Sequence, residues 1–360
     1  MRKIFFVGPL PPPVHGFSVI NKFVYQALLE RKFLVNITDL APNKFLTLPY
    51  KWIKFLLLVA ISSFGRRGTL YLPISGGLRQ LIDIAFALPA KFFGLPIFIH
   101  HHSYAYLNTK TMVSRFVFFF LNNSTHIVLS EGMKRKLNDQ FQIPLNNIYV
   151  LSNSAFLNVE NSQYVLERYQ SKEVTIGFLS NITLEKGIFV FFDAIQDLLD
   201  KKISVSAIIA GPVSPVIKAE FESCLMMFSN VRYLGSVYGE EKKAFFSKID
   251  LLLFPTLYVN EAEPVTLWEA MAHSVPVVAL QRGCIKEMIP PDAGRVVLNR
   301  DDFVSVVAEE VASMSYSSTF LASRRMSARK AFLMKQRQST LSFERLLHDM
   351  TGNFDKGAKN

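Results

Sequence analysis

Two glutamates, Glu261 and Glu269, stand with seven residues between them, the first in a loop after the apolar run 251–254 and the second inside a helical segment starting near Pro264. Proline suits the first helical turn, which places that start. The N–H groups of Val265, Thr266 and Leu267 then have no partner inside the helix and can bind an anion. A second feature of this kind is Lys186-Gly187, at the entry to the helical segment 188–199. A lysine there couples a point charge with open amides, which suits a diphosphate; an ordinary solvated lysine is the plainer alternative. Gly16, before the helical segment 19–30, is a third. With no Cβ it lets a phosphate approach the backbone, although a glycine before a helix is often purely structural, and His15 beside it either meets the anion or solvates the loop. Asn181 lies in the loop after the apolar run 174–179, close to Lys186 in sequence.

These residues belong to the connections of a regular pattern. Short runs of Val, Ile, Leu and Phe alternate with helix-period segments, which predicts βα units and parallel sheet. Strands are expected at 4–7, 34–38, 69–73, 97–101, 126–129 and 148–151, and again at 174–179, 204–210, 231–234, 251–254, 276–279 and 295–297. Polar residues interrupt the pattern at 153–172. The fold class is therefore α/β, with two Rossmann-like, doubly wound domains facing across a crevice, and ligands of such sheets bind at the carboxyl ends of the strands. The expected domains are 1–170 and 171–322, followed by a helical segment at 323–350 that lies outside or crosses back to the first domain, and a tail at 351–360.

His100-His101-His102 closes a predicted strand. Alternation puts only His100 and His102 on one face, so three histidines on one metal is poor geometry. The turn after the strand at 69–73, with Ser75, Gly76, Gly77 and Arg79, reads as a tight turn first and an acceptor-lining loop second. Aspartates two residues apart are missing, and no metal site is expected; Glu261 and Glu263 are a weak substitute for one.

Glu261, seven residues, Glu269-Ala270-Met271-Ala272 and then Val275-Pro276-Val277-Val278-Ala279 resemble the donor-site motif of the retaining GT-B glycosyltransferases of family 4 (group 1). Lys186-Gly187 and the Gly16 loop are similar to that family's other phosphate motifs, and Ser152-Asn153-Ser154 stands where Pro-Asn-Gly is usual. The resemblance runs through nearly the whole chain in the right order. It implies a donor site made of Gly16, Asn181, Lys186, Gly187, Pro264, Val265, Thr266, Leu267 and Glu269, with Glu261 on the sugar hydroxyls, Glu269 on the ribose and His102 near the reacting centre; His100 and His101 are the alternatives to His102, and a packed strand histidine is the plainer one. Three departures stand out. No arginine precedes Lys186 at 178–181; Ala262-Glu263-Pro264 replaces a Gly-Phe-Gly and adds a carboxylate; Arg282-Gly283 is a less typical form of a Gly-rich turn.

The implied activity is transfer of a sugar, with retention, from a UDP- or GDP-linked donor to a glycan or lipid-linked acceptor, in bacterial surface polysaccharide assembly. The nucleotide-sugar is a substrate, and no cofactor is expected. The rival readings are a GT-B sugar-nucleotide epimerase and a non-catalytic nucleotide-sugar-binding or membrane-scaffold subunit.

Charge adds a partner. Residues 1–170 carry 18 basic and 7 acidic side chains, whereas 171–360 carry 22 of each, so the whole surplus of +11 sits in the first domain. A peripheral position on an anionic, cytosolic membrane face follows, with residues 51–58, Arg66, Arg67, Lys134, Arg135 and Lys136 as the contacts and solvated helix faces as the alternative. No nucleic-acid motif accompanies the charge. The apolar start is broken by Gly8 and a proline cluster, so it reads as a strand rather than a secretion signal. Two cysteines are too few for a disulfide framework, and a reducing, cytoplasmic compartment is expected.

Overall fold

The structure is a computed structural model and describes residues 3–12, 16–41, 46–63, 68–157 and 173–351. His15, Arg66, Arg67, the expected boundary at 170/171 and the tail beyond residue 351 lie outside it. The chain divides into two compact units, Met1–Phe156 with Gln336–Asn360, and Leu157–Lys335.

The first unit runs β1 (Lys3–Gly8), α1 (Gly16–Glu30), β2 (Leu34–Asp39), α2 (Leu48–Ser63), β3 (Gly68–Ile74), α3 (Gln80–Phe92), β4 (Ile97–His101), α4 (Ala105–Asn108), α5 (Met112–Leu121), β5 (Thr125–Val128), α6 (Glu131–Phe141) and β6 (Ile148–Val150). The second runs β7 (Val174–Leu179), α7 (Ile188–Asp200), β8 (Val205–Ala210), α8 (Lys218–Met227), β9 (Val231–Tyr233), α9 (Gly239–Lys248), β10 (Leu251–Phe254), α10 (Val265–Ala272), β11 (Val277–Leu280), α11 (Ile285–Met288), β12 (Gly294–Val297) and α12 (Phe303–Tyr316). A last helix, α13 (Ser318–Thr351), has its residues up to Lys335 in the second unit and those from Gln336 in the first.

Each unit is built on a six-stranded sheet, ordered β2-β1-β3-β4-β5-β6 and β12-β11-β10-β7-β8-β9. All recorded pairings are parallel. These are doubly wound Rossmann-like sheets, and every expected strand is present within a residue or so of its expected ends. Burial on both faces explains why the strands read as unbroken apolar runs. In β10, Leu251 and Leu253 join one core cluster with Phe191, Ile195, Val307 and Val311. Leu252 and Phe254 point the other way and join Trp268, Met271, Phe245 and Phe332.

Two polar devices hold this framework. In the second unit, Arg325 of α13 pairs with Asp250, whose other oxygen accepts from Thr175 N–H of β7 at 2.8 Å. Arg324 pairs with Glu310 at 2.7 Å, and Arg329 donates to the Ala272 carbonyl at the end of α10. The amphipathic stripe of α13 is weak because these arginines, two of them buried, anchor it as well as apolar residues.

In the first unit, three side chains form a closed chain: Tyr106 Oη lies 2.7 Å from His101 Nδ1, His101 Nε2 lies 2.9 Å from His126 Nδ1, and His126 Nε2 lies 3.1 Å from the Leu121 carbonyl. The carbonyl only accepts, so His126 carries its proton on Nε2, His101 donates from Nε2, and the Tyr106 hydroxyl donates to His101. This assignment is that of neutral imidazoles, the state that burial favours. Burial holds His126 down to about 4 and His101 well below the ordinary 6.5. Asp83 shifts oppositely: burial raises it to about 7, against the Ser75 N–H that donates to it at 2.7 Å.

Arg325→Ala should lower the second unit's stability by about 3 kcal/mol, because it strands a buried carboxylate. Arg31→Ala, which breaks the exposed Arg31–Glu344 pair, should cost below about 1 kcal/mol. Urea titration of the full chain reads both. For His126, the unfolded chain takes up a proton below about pH 6.5 while the native chain does so only below about 4. Stability from this group is complete above 6.5 and falls towards pH 4 by about 1.4 kcal/mol per pH unit. Asp83 contributes the reverse slope between about 4 and 7, so the comparison must be differential. His126→Gln should flatten the acid fall in stability relative to the parent; parallel curves would refute the assignment.

Candidate functional site

In the second sheet the chain order reverses between the neighbours β7 and β10, the position where ligands of open α/β sheets bind. The loops that leave these two strands carry Lys186 and Glu261. Leu257 N–H donates to the Glu185 carbonyl at 2.8 Å, tying one loop to the other. Gly187 has φ +77°, and a Cβ there would sit 2.0 Å from the Pro255 oxygen. On the far side, Gly283 has φ +46°, and its Cβ would fall 2.1 Å from the Glu261 carbonyl oxygen. Only glycine allows both approaches. The Arg282-Gly283 turn, less typical by sequence, therefore clamps the Glu261 loop, and Cys284 N–H adds a hydrogen bond to the Ala262 carbonyl at 2.8 Å.

This scaffold brings the Lys186 ammonium onto Glu261 Oε2, with side-chain exposures of 23% and 13%. Thr256 Oγ1 reaches the same oxygen at 3.5 Å, and the Tyr258 ring lies 5.1 Å from the ammonium. Both groups predicted to meet ligand are thus held as a pair, half-buried, with a cation for phosphate and a carboxylate for hydroxyls.

α10 begins immediately after this loop. Pro264 is its N-cap, no side chain caps it, and only the Leu267 amide returns to Pro264, at 3.1 Å. The amides of Val265 and Thr266 remain as helix-start donors. One turn on, Glu269 Oε1 pairs with Lys242 of α9 at 2.5 Å, while Oε2 has no partner among the described residues. Sequence reading missed Lys242, since Glu240, Glu241, Lys242 and Lys243 together look like a solvated helix face. Asn181 is exposed and has no hydrogen bond to the Lys186–Glu261 pair among the described residues. Glu263, the extra carboxylate, is buried, 5% exposed.

In the first unit, β4 delivers its histidines to two sides. His101 enters the core with His126. His100 and His102 share the other side, ring centroids 4.0 Å apart, and His102 lies 5.2 Å from Phe17 in the first turn of α1. The start of α1 at Gly16 and His102 are therefore neighbours. Tyr71 Oη lies 2.5 Å from His100 Nδ1, and Nε2 of both His100 and His102 is enclosed without a hydrogen-bond partner among the described residues. Burial pulls His102 down to about 3, which keeps the ring neutral. Tyr71 had no sequence signal beyond lying in a strand. The turn after β3 is built by Ser75 on Asp83 and by Arg79, which donates to the Leu40 carbonyl, as a tight structural turn requires. No group of three or more His, Cys, Asp or Glu is placed to hold a metal among the described residues.

Residues 173–315 match the family model described as Glycosyl transferases group 1. No curated protein matches the chain in sequence. Among solved structures, the chain is similar to Anabaena HepE in complex with UDP and glucose, at 15% identity and TM-score 0.69 over 96% of this chain and 99% of that one. Sucrose-phosphate synthase from Thermosynechococcus elongatus superposes with TM-score 0.74 at 13% identity, covering 97% and 99%. The lipopolysaccharide outer core galactosyltransferase WaaB does so with TM-score 0.64 at 16% identity, covering 95% and 99%. The fold is GT-B, and the segment that matches the group 1 glycosyltransferase model holds the Lys186–Glu261 pair and the start of α10.

Proposed function

We propose that the chain moves a sugar from a UDP- or GDP-linked donor to a glycan or lipid-linked acceptor, with retention at the anomeric carbon, in bacterial surface polysaccharide assembly at the cytosolic face of an anionic membrane. The observation that carries the reading is the Lys186–Glu261 pair beside the uncapped start of α10, at the point of strand-order reversal and inside the matched glycosyltransferase segment. Lys186, Gly187 and the amides of Val265 and Thr266 are assigned to the diphosphate, Glu261 to sugar hydroxyls and the unpaired, enclosed oxygen of Glu269 to the ribose. Asn181, Pro264 and Leu267 border this site. In the first unit, His102 is assigned to the reacting sugar and the Gly16 amides to the leaving phosphate.

The work required is stabilisation of the departing diphosphate and an oxocarbenium-like sugar, with the acceptor hydroxyl held close. The ion pair suits this because each charge keeps the other in place before the donor arrives. A sugar hydroxyl can donate to Glu261 while phosphate oxygens accept from Lys186, so neither group is left uncompensated. HepE, solved with UDP-glucose, and WaaB, a lipopolysaccharide outer core galactosyltransferase, support a nucleotide-sugar donor and a surface glycan.

A donor screen that reads released nucleotide identifies the base and sugar. With that donor, Glu261→Ala and Lys186→Ala should each lower turnover by at least about a hundredfold with an unchanged unfolding curve; near-normal turnover in both would sink the assignment. A chelator should leave the rate unchanged, and NMR of the first-formed product should show the donor's anomeric configuration.

A further inference from the structure

Three neighbouring helices of the first unit, α2, α3 and α5, expose an unusual amount of apolar surface. On α2, Ile53, Leu57 and Ile61 recur every fourth residue, the spacing of a buried stripe, yet are 53%, 58% and 69% exposed. α3 adds Phe92 at 84%, and α5 adds Phe116 and Phe119 at 56% and 81%. Between the helices an open groove of about 520 Å³ is lined almost wholly by apolar atoms, among them Trp52, Leu56, Leu88, Phe92, Phe93 and Phe120. It is a built feature: Trp52 Nε1–H donates to the Ala85 carbonyl at 2.9 Å, and the Lys91 ammonium donates to the Phe120 carbonyl and lies 4.1 Å from that ring.

Charge says what covers it. The three helices contain Lys51, Lys54, Lys91 and Arg115, and one acid, Asp83, which is 1% exposed and bonded to Ser75. The apolar face is therefore flanked by cations with no carboxylate at the surface of those helices. A protein partner's core alone would not call for a one-signed border, whereas a bilayer of anionic lipid presents hydrocarbon behind a layer of negative headgroups. α6, with Lys134, Arg135 and Lys136, lacks this combination: it carries Glu131 and Asp139 and no large exposed apolar side chain.

We infer that the α2–α3–α5 face of the first unit docks on an anionic phospholipid bilayer, with Phe92, Phe116 and Phe119 entering the acyl boundary and the groove beside Trp52 taking a lipid chain. The inference rests on the membrane part of the proposed function and not on transfer.

The test is sedimentation of the full chain with acceptor-free vesicles of phosphatidylcholine, with and without phosphatidylglycerol. Binding should require the anionic lipid and fall with salt. Phe92→Asp with Phe119→Asp, both surface positions, should weaken it at least about tenfold, as should Lys54→Glu with Arg115→Glu. Met226→Asp with Met227→Asp, exposed in the second unit, should leave it unchanged. Trp52 and the buried Trp268 are the two tryptophans, so brominated acyl chains should quench only the Trp52 share of the fluorescence. The proposal is overturned if the parent ignores anionic vesicles, if the Phe92 and Phe119 changes bind like the parent, if stripping Lys134, Arg135 and Lys136 alone abolishes binding, if bromine does not quench, or if the parent is a dimer that those phenylalanine changes dissociate. Nucleotide release with a water-soluble acceptor stays unaffected by the phenylalanine changes, so a failure here and a failure of the transfer reading give different results.

Discussion

The Lys186–Glu261 pair exists because two loops run closer to their neighbours than any side chain would permit. Gly187 against Pro255 and Gly283 against the Glu261 carbonyl leave no room for a Cβ, and both glycines have positive φ. Those two contacts fix the loop after β10 from both sides. The carboxylate at its tip, the lysine beside the first glycine and the start of α10 are consequences of that fixed backbone. A site set on such a support needs little reorganisation when a charged ligand arrives, which is where electrostatic stabilisation gains most.

The first unit solves a different problem with the same type of sheet. Four imidazoles gather around the end of β4 and β5, where charge would be costly. Burial keeps His101 and His126 neutral, and three hydrogen bonds satisfy their ring nitrogens, so this polar cluster is compatible with the core. On the other side of the strand, Nε2 of His100 and of His102 is enclosed without a hydrogen-bond partner among the described residues. Consecutive histidines of this segment thus turn to opposite sides, because successive side chains of a strand point to opposite faces.

How far each element was legible follows from how local its cause is. The strands were visible because parallel sheet buried on both faces demands unbroken Val, Ile, Leu and Phe, as in β7 and β10. α13 was visible as a helix but not in its anchoring, since Arg324, Arg325 and Arg329 have the composition of a solvated face and find buried partners only by folding. Lys242 hid in the same way among the charges of α9. Glu263 was read as an addition to the site, and its burial depends on the path of the backbone before Pro264.

By itself, the sequence determined the α/β alternation, the uneven charge, the glutamate spacing and the lysine-glycine helix entry, because each is set by neighbours within about ten residues. Tertiary structure alone decided that Lys186 and Glu261 are partners across 75 residues, that His101 turns away from His102 to meet His126, and that α2, α3 and α5, which carry Lys51, Lys54, Lys91 and Arg115, share an exposed apolar face. The physical reason is that charge pairing and burial depend on distances in space, and a chain's local pattern sets those distances only after the sheet order has brought remote segments together.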